Sequence, residues 1–310
     1  MPRQYKYLYG PVPSRRLGRS LGIDIVPLKV CTLDCVYCQL GRSSEKTTRR
    51  REYVPIDAVI EELAEKISSG LDADFITIAG SGEPTLNSGL GKLLKAARDI
   101  TDIPLTVLTN GTLFYREDVR ADCAKADVVM PSLDAGDEPT FRKINRPHRD
   151  ISVEKLVSGL CAFREEFAGR IWLEVFLVDG MNTDTEQVAK IRGLIERIRP
   201  DKIHLNTAVR PTADANVKKV AIEKLHAIAA ELGDSCEVIA DFSARHHPRH
   251  AETTAQDVFS MLKRRPCSLQ DISAGLGISP SLAVKHLASL QCRGLVESYE
   301  KNRTVFFKAT

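Results

Sequence analysis

From about Leu21 to Ala240 the chain alternates short apolar runs, rich in β-branched residues, with longer stretches whose apolar positions recur every three or four residues. "LGIDIV", "FITIAG", "LTVLTNG", "DVVMPSL", "IWLEVFLV" and "KIHLNT" read as strands. "PIDAVIEELAEKISSG", "LGKLLKAARDI", "VEKLVSGLCAFREEF" and "DTEQVAKIRGLIERI" read as amphipathic helices. Strands separated by helices of this length belong to βα units and a parallel sheet. The pattern over residues 21–240 therefore predicts an α/β fold, a partial (β/α)6 TIM-like barrel two units short of the full one.

The periodicity stops at "DFSARHHPRHAE", residues 241–252, a polar stretch predicted as a linker. His246, His247 and His250 are of metal-ligating type, but in this stretch they read as part of a solvated connector. Residues 253–310 return to a helical pattern. Thr254 with Asp257, and Ser268 with Asp271, are capping boxes, and Gly277 is a helix stop. Ser279 is an N-cap, followed by Pro280 at the first helical position, with Gly294 as terminator. Two β-like runs, "LVESYE" and "RTVFFKAT", close the chain. Three helices and a hairpin predict a small C-terminal winged helix-turn-helix domain, with Pro280–Cys292 as its recognition helix.

Composition adds modestly to this picture. With 310 residues, 43% of them hydrophobic, the chain can build one large core and one small one. A net charge of +3 does not by itself point to nucleic acid or membrane, so any basic surface must be local. Residues 1–20 read as a basic arm, with Arg3, Lys6, Arg15, Arg16 and Arg19 and no acid. Arg42, Lys46 and Arg49 to Arg51 form a second basic stretch that suits phosphates or a carboxylate. The N-terminus lacks a secretory apolar run and no stretch is long enough to span a bilayer, so a cytoplasmic protein with no membrane partner is expected. In a reducing compartment, clustered cysteines point to metal binding or catalysis before disulfides.

Three of the eight cysteines lie in "CTLDCVYC": Cys31, Cys35 and Cys38. One buried face of a short helix is the plain alternative, but polar Thr32 and Asp34 lie between them, and the segment follows the first strand, where α/β sheets place their ligands. Zinc wants a fourth protein ligand, and no further cysteine or histidine follows until Cys123. Thiolates equally suit an iron–sulfur cluster, and a [4Fe–4S] cube on three cysteines leaves one iron open to another ligand. Other strand ends carry candidate groups. In "GSGEPTL", glycines allow close approach to a ligand and Glu83 can pair with an ammonium, unless this is an ordinary βα turn. Asn110 sits in the "TNG" turn. Ser132 and Asp134 can meet ribose hydroxyls or cap a helix. Glu174 lies mid-strand, where a carboxylate must face the barrel interior and find a partner. Asn182, Asn206 and Arg210 follow at later strand exits, and Asn145, Arg146 and His148 lie in "KINRPH".

CxxxCxxC with Tyr37 before the last cysteine resembles the signature of the radical S-adenosylmethionine (SAM) superfamily. "GSGEPTL" resembles its glycine-glycine-glutamate motif, with Ser81 in place of the first glycine. The resemblance implies a [4Fe–4S] cluster on Cys31, Cys35 and Cys38, with SAM chelating the open iron. It implies reductive cleavage of SAM to a 5′-deoxyadenosyl radical that abstracts hydrogen from a substrate, and a low-potential electron donor of flavodoxin or ferredoxin type. By the same resemblance Gly82 and Glu83 hold the SAM amino group, Ser132 and Asp134 meet its ribose, and Tyr37, Ser81, Asn110, Glu174, Asn206 and Arg210 are further cofactor-binding candidates.

"GPVPSRRLGRSLGIDIVPLKVCTLDCVYCQLG" together with "SLDA", "INRPH" and "LNTAVRP" is similar to the bacterial and archaeal group related to wyosine-tRNA synthesis enzymes, which implies a lean to RNA modification. Wyosine synthases hold a second cluster on extra N-terminal cysteines, and this chain has none before Cys31, so a different reaction is expected. An RNA or protein partner is expected at the winged helix. Two other functions compete: a glycyl-radical activating enzyme, and a regulator in which a cluster or SAM controls DNA binding.

Overall fold

The structure, a computed structural model, describes residues 5–14, 16–239, 254–263, 265–301 and 304–310. The linker expected at 241–252, with its three histidines, lies outside them. The first strands, β1 (Leu8–Ser14) and β2 (Gly18–Ile23), form an antiparallel pair. Two-residue strands β3 (Val30–Cys31) and β4 (Glu45–Lys46) then pair in parallel across the neck of the cysteine loop. There follow α1 (Ile56–Ser68), β5 (Phe75–Ile78), α2 (Leu90–Ile100), β6 (Leu105–Leu108), α3 (Glu117–Cys123) and β7 (Val128–Met130). Next come α4 (Glu138–Ile144), α5 (Val153–Glu166), β8 (Arg170–Leu177), α6 (Thr185–Ile198), β9 (Lys202–Thr207), α7 (Ile222–Leu232) and β10 (Cys236–Val238).

These build an eight-stranded mixed sheet ordered β1-β2-β5-β6-β7-β8-β9-β10. All pairings from β2 onward are parallel. The six strands expected from the apolar runs are all present, and the sheet is longer than expected at both ends. β10 adds a seventh parallel strand too short to show a period. β1 adds an antiparallel edge in what reads as a basic arm; its Pro11 and Pro13 weaken the strand signal yet are tolerated on an edge, where no ladder partner needs their missing N–H. The pairing register also shifts between Tyr9 and Val12, which hides the alternation.

Side chains alternate across the parallel strands. Ile76, Ile78, Leu105, Val107, Val129, Leu173, Val175 and Leu177 join the large core with the helices. Their neighbours Phe75, Leu108, Val128, Met130 and Trp172 point to the opposite face and meet Leu17 in a second, inner cluster. Glu174, His204 and Asn206 share that inner parity, so the polar mid-strand positions face the barrel interior.

The C-terminal residues contain α8 (Ala255–Leu262), β11 (Cys267–Ser268), α9 (Leu269–Leu276), α10 (Pro280–Cys292), β12 (Val296–Lys301) and β13 (Thr304–Ala309). The strands form a separate antiparallel sheet, β11-β13-β12, and the helices enclose a core of their own around Val258, Ile272, Leu287 and Leu290. The caps read from the sequence are in place. Thr254 with Asp257 and Ser268 with Asp271 are reciprocal capping boxes, Ser279 caps α10 ahead of Pro280, and Gly277 ends α9 at φ +63°, a left-handed conformation that glycine adopts without strain. α8 and α9 lie against β1.

Candidate functional site

The segment "CTLDCVYC" is not a helix; after Cys31 it runs as an irregular loop. Its shape is imposed by distant backbone. Asp34 and Val36 amides donate to the carbonyls of Asn145 (3.0 Å) and Ile144 (2.9 Å), and Thr32 O accepts from His148 N (2.8 Å). On the other side the carbonyls of Cys38 and Val36 accept from the amides of Ala213 and Asp214, both at 2.9 Å. The Asp34 carboxylate closes the loop internally by accepting from Ser43 N (2.8 Å).

The three thiols sit in a protein-lined recess. Cys31 Sγ lies 3.5 Å from Asn110 Nδ2, and Cys35 Sγ 3.5 Å from Asn145 Nδ2. Burial, then the nearby Glu83 charge, pushes the Cys31 thiol up to about 12. Burial and then Asp134 push Cys35 well up, and burial raises Cys38, eased by loop amides and Lys29. Left alone, these groups stay protonated at neutral pH. A bound metal's charge is what turns such thiols into thiolate ligands.

Glu83 is fully enclosed, and its oxygens accept from Thr85 N (3.1 Å), Thr85 Oγ1 (2.6 Å), Thr109 Oγ1 (2.6 Å) and Asn110 N (2.7 Å). Burial still lifts its pKa against those four bonds. In this arrangement Glu83 ties the Gly80–Leu86 turn to the end of β6. Ser81 O accepts from Lys29 N (2.5 Å), its hydroxyl bonds Asp24 (2.6 Å), and Val30 O accepts from Glu83 N (3.0 Å). A Cβ at Gly82 would stand 2.0 Å from Val30 O, one residue before Cys31. Gly82→Ala is therefore expected to displace β3 and cost about 1–3 kcal/mol of stability by overpacking. Urea unfolding and the iron content of the variant check this.

Asp134 is also a buried hub. It accepts from Tyr37 Oη, from Asn145 Nδ2 (2.6 Å) and from Phe176 N (2.9 Å). Burial raises it to about 6 against those three bonds. Tyr37 stacks on Phe176 at 3.9 Å with the rings 12° apart. Asp134 thereby clamps the cysteine loop through Tyr37 and joins it to Asn145 and to β8. Ser132, half-buried, bridges to Glu174 where β7 meets β8.

Glu174 accepts from Arg16 Nη1 and from Asn206 Nδ2, the latter at 2.9 Å. Beside it His204 is buried, and its pKa falls to about 4, by burial first and then by the Arg16 charge. Two strand-exit residues are held by protein partners. Asn182 is wholly buried and bonds Asp134 O (2.7 Å) and Phe176 O (2.9 Å), so it braces a loop. The fully buried Arg210 side chain donates to Asp271 Oδ1 at 2.9 Å, in α9. The chain leaving β9 runs toward the C-terminal residues, and a buried guanidinium there requires a carboxylate. Arg146 pairs with Asp214 at 3.1 Å and His148 with Asp150 at 3.4 Å.

Arg16 was readable only as one member of a basic arm, although the need of Glu174 for a partner was the available signal. Thr85 and Thr109, which saturate Glu83, gave none.

A cavity of about 280 Å³ opens beside the cysteine loop. Its wall includes Tyr9, Ser20 and Thr77 from the strands, Gln39 and Leu40 just after Cys38, Ser81, and from the C-terminal residues Met261 and Arg265. None of these last contacts can be read from local sequence.

Comparison with known proteins gives a consistent result. The description "Radical SAM superfamily" matches residues 25–191. "UPF0026 protein MJ1312" of Methanocaldococcus jannaschii is 39% identical over 224 residues, 72% of this chain and 70% of that protein. A "GTPase Obg" of Brachyspira hyodysenteriae is 37% identical over 294 residues; the match spans 94% of this chain but 43% of that protein. Among solved structures, "TYW1 with a lysine-pyruvate adduct bound" superposes with a TM-score of 0.54 at 22% identity, covering 69% of this chain and 72% of the other. Streptococcus suis SuiB bound to S-adenosylmethionine gives 0.52 at 16% identity, covering 71% and 50%. At these identities the two structures speak to the fold alone.

Proposed function

Because this chain belongs to the radical SAM superfamily, whose enzymes use an iron–sulfur cluster and SAM, we propose that Cys31, Cys35 and Cys38 each ligate one iron of a single [4Fe–4S] cluster and leave the fourth to SAM. The observation that carries this is the recess itself: three half-buried thiols on an irregular loop, with the amides of Asn110 and Asn145 beside Cys31 and Cys35. Three thiols on one short loop suit a polynuclear group that takes one thiolate at each of three irons. Asn145 Oδ1 is buried with no hydrogen-bond partner among the described residues, so this part of the site has an unused acceptor.

When bound, cluster and SAM supply one-electron cleavage of the sulfonium and a 5′-deoxyadenosyl radical that abstracts hydrogen. The chain's own residues do the rest. Gly82 lets the Ser81–Glu83 backbone lie against Val30, the residue before Cys31, and so sets that turn beside the cluster ligands. Asp134 holds the cysteine loop through Tyr37, Glu83 holds the adjoining Gly80–Leu86 turn to the end of β6, and Tyr37 and Phe176 form an apolar wall that keeps water from the loop. Arg16, Glu174 and Asn206 set the polarity of the inner face.

The electron would come from a flavodoxin- or ferredoxin-type donor, and the lean to RNA modification rests on the sequence likeness to wyosine-tRNA synthesis enzymes. We take residues 21–240 as the barrel and 253–310 as a winged helix-turn-helix. The DNA-regulator reading is weaker: α10 offers Lys285, while His286 Nε2 is buried, and duplex binding needs several phosphate contacts. Anaerobically reconstituted protein with a strong reductant is expected to convert SAM to 5′-deoxyadenosine and methionine. An intact cluster that yields neither product overturns the proposal.

A further inference from the structure

We propose that the C-terminal residues complete the reaction chamber and that Arg265 supplies the counter-charge for an anionic group, carboxylate or phosphate, on the substrate. The inference deepens the enzymatic reading above and rests on it for the word substrate.

The cavity beside the cysteine loop is small, about 280 Å³, close to the lower end of small-molecule sites. It reaches from Ser81 and the residues following Cys38 to Met261 and Arg265, so one end adjoins the cluster loop and the other is walled by the C-terminal residues. That wall is anchored. α8 and α9 lie against β1, and the buried Arg210–Asp271 pair at 2.9 Å fixes α9 to the loop after β9. A peripheral appendage would not place a buried ion pair at its seam.

The charge of the chamber is one-sided. Among the described residues its lining holds two guanidinium groups, Arg16 and Arg265, and no carboxylate. Arg16 is matched by Glu174 on the inner face. Arg265 is half-buried and forms no ion pair with any described residue. A partly desolvated guanidinium facing a cavity without a counter-ion is costly on its own, and that cost is recovered when an anion enters. Its planar fork favours carboxylate or phosphate oxygens over a lone hydroxyl. Tyr9 and Met261 leave the remaining wall largely apolar, which suits a compact molecule with one charged end.

The full chain, purified without iron, is titrated with inorganic phosphate in one arm and acetate in the other, at constant ionic strength, and the unfolding midpoint gives the dissociation constant. One anion is expected to stabilise the wild type. Binding should weaken about tenfold or more in Arg265→Met, and by less in Arg265→Lys, which keeps the charge. Arg293→Met removes the same charge from an exposed position in the same region and should leave binding unchanged. Preference for phosphate or for acetate identifies the group. Absence of binding by both anions, or equal losses in Arg265→Met and Arg293→Met, overturns the proposal. Because iron, SAM and reductant are absent from this assay, its outcome is independent of SAM cleavage.

Discussion

Alanine at Cys31, Cys35 or Cys38, one at a time, is expected to bring iron and acid-labile sulfide in the reconstituted protein down to background. Each thiol is enclosed, and the three stand on one loop held by backbone bonds to residues 144–148 and 213–214. Those bonds do not involve the sulfur atoms, so the loop should persist in each variant and the loss should be one of ligation. Removing one thiolate leaves an iron of the cluster without its protein ligand in a recess that offers no substitute: the adjacent side chains are the amides of Asn110 and Asn145 and the saturated carboxylates of Glu83 and Asp134. Cys161→Ala, on α5, is the control and should retain full iron. Iron and sulfide assays with near-unchanged urea midpoints check the result; full iron in any of the three variants would falsify the ligand set.

Asp271→Ala is expected to produce the largest loss of stability among single substitutions at the seam, about 3–5 kcal/mol for breaking a buried ion pair by removing one partner. The same carboxylate does two jobs. Oδ1 accepts from Arg210, while Oδ2 accepts from Ser268 N and Oγ, both at 3.0 Å, as the N3 member of the α9 capping box. The alanine variant thus strips the pair and the cap together, and a cap adds about 1 kcal/mol. Arg210→Met should cost less, because Asp271 keeps its cap and 10% side-chain exposure whereas the Arg210 side chain is 0% exposed. The double variant should fall short of the sum of the single losses, since both remove one interaction. Lys308→Met, which breaks an exposed pair with Glu297, should change little. Urea denaturation orders the four variants. Equal effects from Asp271→Ala and Lys308→Met would show that the seam does not bear stability.

The Arg210 result shows why the site was only partly legible. As a charged residue at a strand exit it carries the same local signal as a ligand-binding arginine. Its partner is 61 residues away in sequence, in α9. Asp134 shows the same limit: a carboxylate at the end of β7 carries no local sign of Tyr37, Asn145 and Phe176, which converge on it. The chamber is the extreme case, since Ser20, Ser81 and Arg265 belong to three regions with no local pattern in common.

What the sequence by itself determined is whatever depends on neighbours within a few residues. The six central strands, the amphipathic helices, the capping boxes at Thr254 and Ser268 and the CxxxCxxC spacing all follow from periodicity, hydrogen bonds across one turn and cysteine clustering. The tertiary structure decided everything that requires distant segments to meet: the edge strand β1, the saturation of Glu83 and Asp134, the pairing of Arg16 with Glu174, and the seam that brings Arg265 to the cavity. The physical reason is that a buried polar group is compensated by whichever partner folding delivers to it, and a linear pattern records the need without naming the partner.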